Sequence, residues 1–166
     1  MEEVVSTMKL DLMSKNLIIA IEEMIKDQNL AKLLSVYEKE PLNSCDIKNT
    51  DNLVLKNIFS EPFNNVVPTE QKVELRLLYA NGTFESSNNV ATSDLYFQII
   101  SHRDLSRIIV NGDKRLREFE IMNRIVDIFK GKSYKTLGTI VFKGFEYAHI
   151  DKDYLMYTLV AEVMNL

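Results

Sequence analysis

KVELRLLYA, residues 72–80, alternates: Val73, Leu75, Leu77 and Tyr79 are separated by Lys72, Glu74 and Arg76 on the early part of the run. A period of two is that of a strand with one face in a core. Upstream of it the period is helical. Leu17, Ile18, Ile21, Met24 and Ile25 recur at helical spacing, with Ser14 placed to cap their start. KDQN (26–29) interrupts, and Leu30, Leu33, Leu34 and Tyr37 form a second stripe that Pro41 ends. A short helix is expected from Asp51 to Phe59, and the two prolines of SEPFNNVVPTE (60–70) mark a connector.

Downstream, DLYFQIISH (94–102) is a second strand with Leu95, Phe97 and Ile99 on one side. Between the two strands lies NGTFESSNNVATS (81–93), too polar for a core element and longer than the two to five residues of an ordinary hairpin loop. Residues 114–130 predict a helix with Leu116, Phe119, Met122, Ile125, Val126 and Phe129 inward, Asp113 as cap and Gly131 as terminator. TLGTIVFKGFEY (136–147) and DYLMYTLVAEV (153–163) add two strands joined by a turn at HIDKD. The expected fold is α+β: an antiparallel four-stranded sheet with a long helix packed on it, plus an N-terminal helical subdomain. Residues 1–70 would supply the arm and helices and residues 71–166 the sheet, as one compact unit.

Composition sets the class. Of 166 residues, 46% are hydrophobic and 27% charged, ordinary globular proportions. The single cysteine, Cys45, excludes an intramolecular disulfide and reads as a small core residue. No apolar run reaches the length of a membrane span, and the acidic, interrupted N-terminus is unlike a secretory signal, so a soluble intracellular protein with no membrane contact is expected. Charge is uneven: residues 1–70 carry 7 Lys/Arg against 12 Asp/Glu, and residues 101–133 carry 8 against 5. The net charge of −4 argues against a dedicated nucleic-acid binder.

HRDL (102–105) matches the opening of a protein-kinase catalytic loop, but the chemistry is missing. The position that should carry a magnesium-binding Asn is Ile109, no DFG follows, and five glycines leave no phosphate cradle. A polar corner at a strand end is the plainer reading, with Asp104 outside any catalysis. His102 and His149 have no metal-ligand spacing, and Asp151 and Asp153 near His149 read as a solvated turn. No enzyme, no catalytic residue, no cofactor and no metal site is expected.

Phe84, in the polar connection, either anchors a protein interface or folds back on its own sheet. The expected subunit interface is Asn81, Gly82, Thr83, Phe84, Glu85, Ser86, Ser87, Asn88, Asn89 and Val90, with residues 81–93 ordered between subunits. The arm at residues 1–13, with Val4, Val5, Met8, Leu10 and Leu12, is expected to dock on a neighbour.

Taken in order, SKNLIIAIEEMIKDQNLAKLLSVYEKEPL, DLYFQIISHRDLSRI, RLREFEIMNRIVDIFKGKSYKTLGTIVFKGFE and DKDYLMYTLVAEV resemble the layout of small connector proteins of tailed-bacteriophage virions. The likeness is to tail terminators and neck rings (head-to-tail connectors), and it covers about residues 14–165. It implies a non-enzymatic structural protein of the virion, assembled in the host cytoplasm. The implied homo-oligomer is a ring of six or twelve subunits, flanked by portal, neck or tail-tube proteins, with viral DNA passing close by. A mildly acidic chain suits such a conduit. A monomeric intracellular adaptor or regulatory protein-binding module is the other reading.

Overall fold

The computed structural model describes residues 10–63, 68–87, 89–135 and 137–164. Of the expected docking arm, residues 1–9 lie outside that set, as does Asn88. Helix α1 (Leu10–Ile25) starts a turn before Ser14, which lies inside it and caps nothing. It buries Met13, Asn16, Ala20, Ile21 and Met24. Helix α2 (Gln28–Ser35) follows after one tight corner. Asp27 is its N-cap, the carboxylate accepting the Leu30 amide at 2.8 Å. The expected helix at 51–59 is instead a 3-10 turn (Thr50–Leu53) and a two-residue strand, β1 (Ile58–Phe59). Asn57 explains the change. Its buried amide donates to the carbonyls of Leu34 (2.9 Å) and Val73 (3.0 Å), bonds a continuing helix would not permit.

The sheet corrects the four-strand expectation. It has six strands in the order β1-β2-β3-β8-β7-β6, where β2 is Val73–Phe84, β3 Val90–His102, β6 Ser133–Tyr134, β7 Gly138–His149 and β8 Tyr154–Met164. The four long strands are mutually antiparallel, but β1 joins β2 in parallel, so the sheet is mixed. Two-residue strands carry no periodicity, which is why they are invisible in the sequence. The registers Leu77↔Phe97, Phe97↔Leu159 and Leu159↔Phe145 align one apolar row across all four long strands. The last strand in chain order, β8, lies in the middle of the sheet.

A second, two-stranded sheet was also unexpected. After the short helix α3 (Arg103–Ser106), β4 (Arg107–Val110) and β5 (Asp113–Leu116) form a hairpin. Asn111 (φ 51°) and Gly112 (φ 84°) both take positive φ at its turn, the conformation a two-residue hairpin demands. Asp113 is therefore a strand residue and not a helix cap. Helix α4 (Arg117–Phe129) begins three residues later than expected, after Leu116, with no side-chain cap bond. It is 13 residues long, shorter than α1, so no single long helix dominates.

One face of α4 buries Ile121, Met122, Ile125, Ile128 and Phe129 against the sheet, with Phe119 and Val126 at its flank. Phe129 meets Phe97 with ring centroids 6.0 Å apart, and Phe142 meets the other side of Phe97 at 6.1 Å. Side chains of α1 and α2 enter the same core cluster. The mixed α/β arrangement thus has helices α1 to α4 all contributing to one core, in place of one helix on an antiparallel sheet.

Two charged residues of α4 are wholly buried. Arg117 donates to the carbonyls of Leu33 (2.7 Å), Val36 (2.9 Å), Glu38 (3.3 Å) and Leu105 (2.8 Å). These include carbonyls at the C-terminal end of α2, which lack helical partners and carry partial negative charge. Burial pulls the guanidinium down to about 10, while neighbouring Glu118 pulls it back up. The Glu118 carboxylate accepts from Ser106 Oγ at 2.9 Å and from Ser101 Oγ.

Candidate subunit interface

Residues 81–93 are not a long loop. Strands β2 and β3 continue into them as a hairpin that outruns the apolar row, and of the described residues 85–87 and 89 lie between the two strands. Polar composition hid the strands because this extension has little core to face, so the apolar alternation stops while the backbone ladder goes on. Register shifts at Ala80/Gly82 and Thr83/Phe84 accommodate it, with Asn81 at φ 58°. The turn closes through Glu85 N–H to the Asn89 carbonyl at 3.0 Å. The Glu85 carboxylate accepts from Ser87 Oγ (2.6 Å) and Asn89 Nδ2 (3.4 Å).

The expected interface residues divide accordingly. Asn81, Gly82, Thr83, Phe84, Ser86 and Ser87 are exposed, and Glu85 and Asn89 are half-buried. Phe84 keeps 59% of its surface in water, a large exposure for a phenyl ring. Val90 points inward, 3% exposed, against Met13, with Leu12, Tyr79 and Val163 around it. It anchors the hairpin and presents nothing to a partner. Tyr79 anchors the base as well. Burial pushes its phenol up to about 12, with Asn16 of α1 pulling the other way.

At the opposite end of β3 the kinase-like tetrapeptide forms a corner. His102 caps α3, its Nδ1 accepting the Asp104 amide at 3.2 Å, and Asp104 accepts from Gln71 at 3.0 Å. Ile109 sits in β4, its amide bound to the Lys39 carbonyl. The β4–β5 ribbon, which the sequence reading missed, lines an open trough of about 400 Å³ with Lys39, Arg107, Ile108, Ile109, Lys114, Arg115 and Leu116. The dipeptide Asn111-Gly112 between apolar and polar runs is the signal that would have found it.

The outer strand β7 is open. Beyond Thr139 it pairs only with β8 among the described residues, and Phe145 and Tyr147 are more than half exposed. Phe119, Phe145, Tyr147 and Tyr157 touch ring to ring there, with centroids 5.2–6.2 Å apart. The opposite edge, β2 from Leu77 to Phe84, is likewise paired only to β3.

Other expected features fall elsewhere. Cys45 is exposed and not a core residue. Asp151 accepts the amides of Asp153 (2.8 Å) and Tyr154 (2.7 Å), which hold its carboxyl below the usual range, so it organises the β7–β8 turn. Among the described residues no cluster of three or more His, Cys, Asp or Glu is placed to hold a metal ion. No helix among them is long and apolar enough to cross a membrane.

The family model YomW matches residues 27–163, which covers α2 through most of β8. None of the curated proteins matches the chain.

Proposed function

The chain belongs to the YomW family, a phage-derived name, and on that premise we propose that it is a structural virion protein of a tailed bacteriophage. It serves as a ring-forming connector subunit at the neck or the top of the tail, as a tail terminator or a head-to-tail joint. It performs no catalysis. Six or twelve copies surround the passage for viral DNA, and the ring sits against portal, neck or tail-tube proteins. It is assembled in the host cytoplasm and resides in the virion.

The observation that carries this reading is the β2–β3 hairpin, which extends past the core and exposes Phe84 at its end. A ring fixed by point-group rotation needs a heterologous contact, in which one surface of each copy meets a different surface of the next. A projecting hairpin with an aromatic end suits one half of such a contact. The open edges of β2 and β7 lie on opposite flanks of the sheet and run antiparallel to one another, so β2 of one copy set beside β7 of the next would pair in the antiparallel sense.

Negative-stain micrographs and light-scattering mass of the purified chain test the reading. Closed rings with a central opening are expected. A monomer at the highest soluble concentration, with no incorporation into particles, would overturn it and favour the adaptor reading.

A further inference from the structure

We propose that the basic trough of the β4–β5 ribbon is the receptor for the β2–β3 hairpin tip of a second copy of this chain. The proposal rests on the ring reading, for which it names the second half of the contact.

The register Arg107↔Leu116 and Ile109↔Lys114 puts two cations and two apolar side chains on one face of the ribbon. Lys39 reaches the same trough from the segment bound to Ile109. Ile108, on the alternate face, is 2% exposed and belongs to the core. Arg115 is the trough cation with carboxylate partners, Asp113 at 3.4 Å and Glu120 at 3.5 Å. Among the described residues Lys39, Arg107 and Lys114 have none. Three cations of one sign over an apolar floor form a surface whose complement is anionic and apolar together.

The hairpin tip has that chemistry in adjacent residues. Phe84 offers an exposed ring for Ile109 and Leu116, and the Glu85 carboxylate a charge for Arg107 or Lys114. A phosphate polymer would satisfy the cations but leave the apolar floor uncovered, which favours the protein partner. The two features cannot meet within one copy. The tip lies at the Val90 end of β3 and the ribbon begins just past its His102 end, about 40 Å away at the rise of an extended strand.

Two full-length variants test this, Glu85→Arg at the half-buried carboxylate of the tip and Arg107→Glu with Lys114→Glu on the exposed cations of the trough. Sedimentation velocity should show each variant alone losing self-association by about tenfold or more. Mixed, the two should recover assembly, because the intact tip of one meets the intact trough of the other and the reversed charges of the two variants are opposite in sign at the remaining contact. Wild-type rings that persist unchanged in the trough variant would overturn the proposal and leave the ring reading intact. A wild-type chain that stops at a closed two-fold dimer, abolished by either variant, would support the proposal and overturn the ring. A mixture that stays monomeric overturns the proposal. So does trough-dependent, salt-sensitive binding of a DNA duplex with self-association untouched.

Discussion

Helix α2 and the β2–β3 hairpin are both short excursions rich in polar atoms, yet they are held in opposite ways. Both ends of α2 are gripped by arginines of α4. Arg117 takes the carbonyls at its C-terminal end, and Arg124 pairs with the N-cap Asp27 through Nε at 2.8 Å and through Nη2. The hairpin is held at its base by Val90 and Tyr79, while Asn81 donates to the Tyr96 hydroxyl at 3.3 Å and Ser87 and Asn89 donate to Glu85 within the turn. Polar groups facing inward fix a helix in one pose, because leaving any of them unpaired is costly. Polar groups facing outward fix little and stay available to a partner.

The contrast breaks most visibly at Arg117. Arg117→Met should destabilise the chain by about 3–5 kcal/mol, since it strands buried carbonyls and leaves buried Glu118 without its neighbouring cation. Arg117→Lys should recover only part of this, because an ammonium cannot fork across several carbonyls. A urea midpoint for Arg117→Met close to wild type would mean the clamp holds nothing.

Asp27→Asn should cost about 1–2 kcal/mol at neutral pH, combining a weakened cap with a lost, partly exposed ion pair. Burial pushes this carboxyl up, but Arg124 and the Leu30 amide outweigh it and hold the carboxyl below its ordinary 3.8. A depressed folded value means the stabilisation is present above the unfolded value and fades as pH falls through the folded one. The gap between Asp27→Asn and wild type should therefore close in acid, below about 3.8. A gap that stays constant from neutral pH into that range would assign the effect to packing.

On the hairpin the effects shrink. Val90→Ala should cost about 1 kcal/mol and speed amide exchange at Glu85 and Asn89 ahead of the core strands. Phe84→Ser should change stability by less than about 0.5 kcal/mol while weakening assembly. If Phe84→Ser lowers the melting temperature of the free chain appreciably, the ring packs on its own subunit and the hairpin is not a free surface.

The inward halves of both regions were partly legible. Period two at Val73–Tyr79 and period near 3.6 across Met122–Phe129 follow from burial on one face, which selects side chains directly. The burial of Arg117 and Glu118 has no local signal, because the partners that make it tolerable come from distant segments, Leu33–Glu38 and Ser101–Ser106. The hairpin extension was hidden for the reverse reason, since a strand beyond the core has no apolar pattern to show. The β4–β5 ribbon has its signal in Asn111-Gly112, but Leu116 stands at helical spacing from Phe119 and Met122, so the helical period runs back into β5 and masks it.

The placement of β8 bears on how the chain is made. Residues 154–164 fill the gap between β3 and β7, pairing Leu95 with Ala161 and Phe145 with Leu159. During synthesis β3 and β7 emerge earlier and wait, each with an unmatched flank, until that segment leaves the ribosome. Pairing β3 with β8 closes a long stretch of intervening chain, a slow step in folding. A nascent chain stalled before Tyr154 would hold the β2–β3 hairpin without the sheet that supports it, and would be exposed to chaperones and proteases. Emergence of residues 154–164 thus becomes a checkpoint, since the sheet closes only once they are available to both flanks.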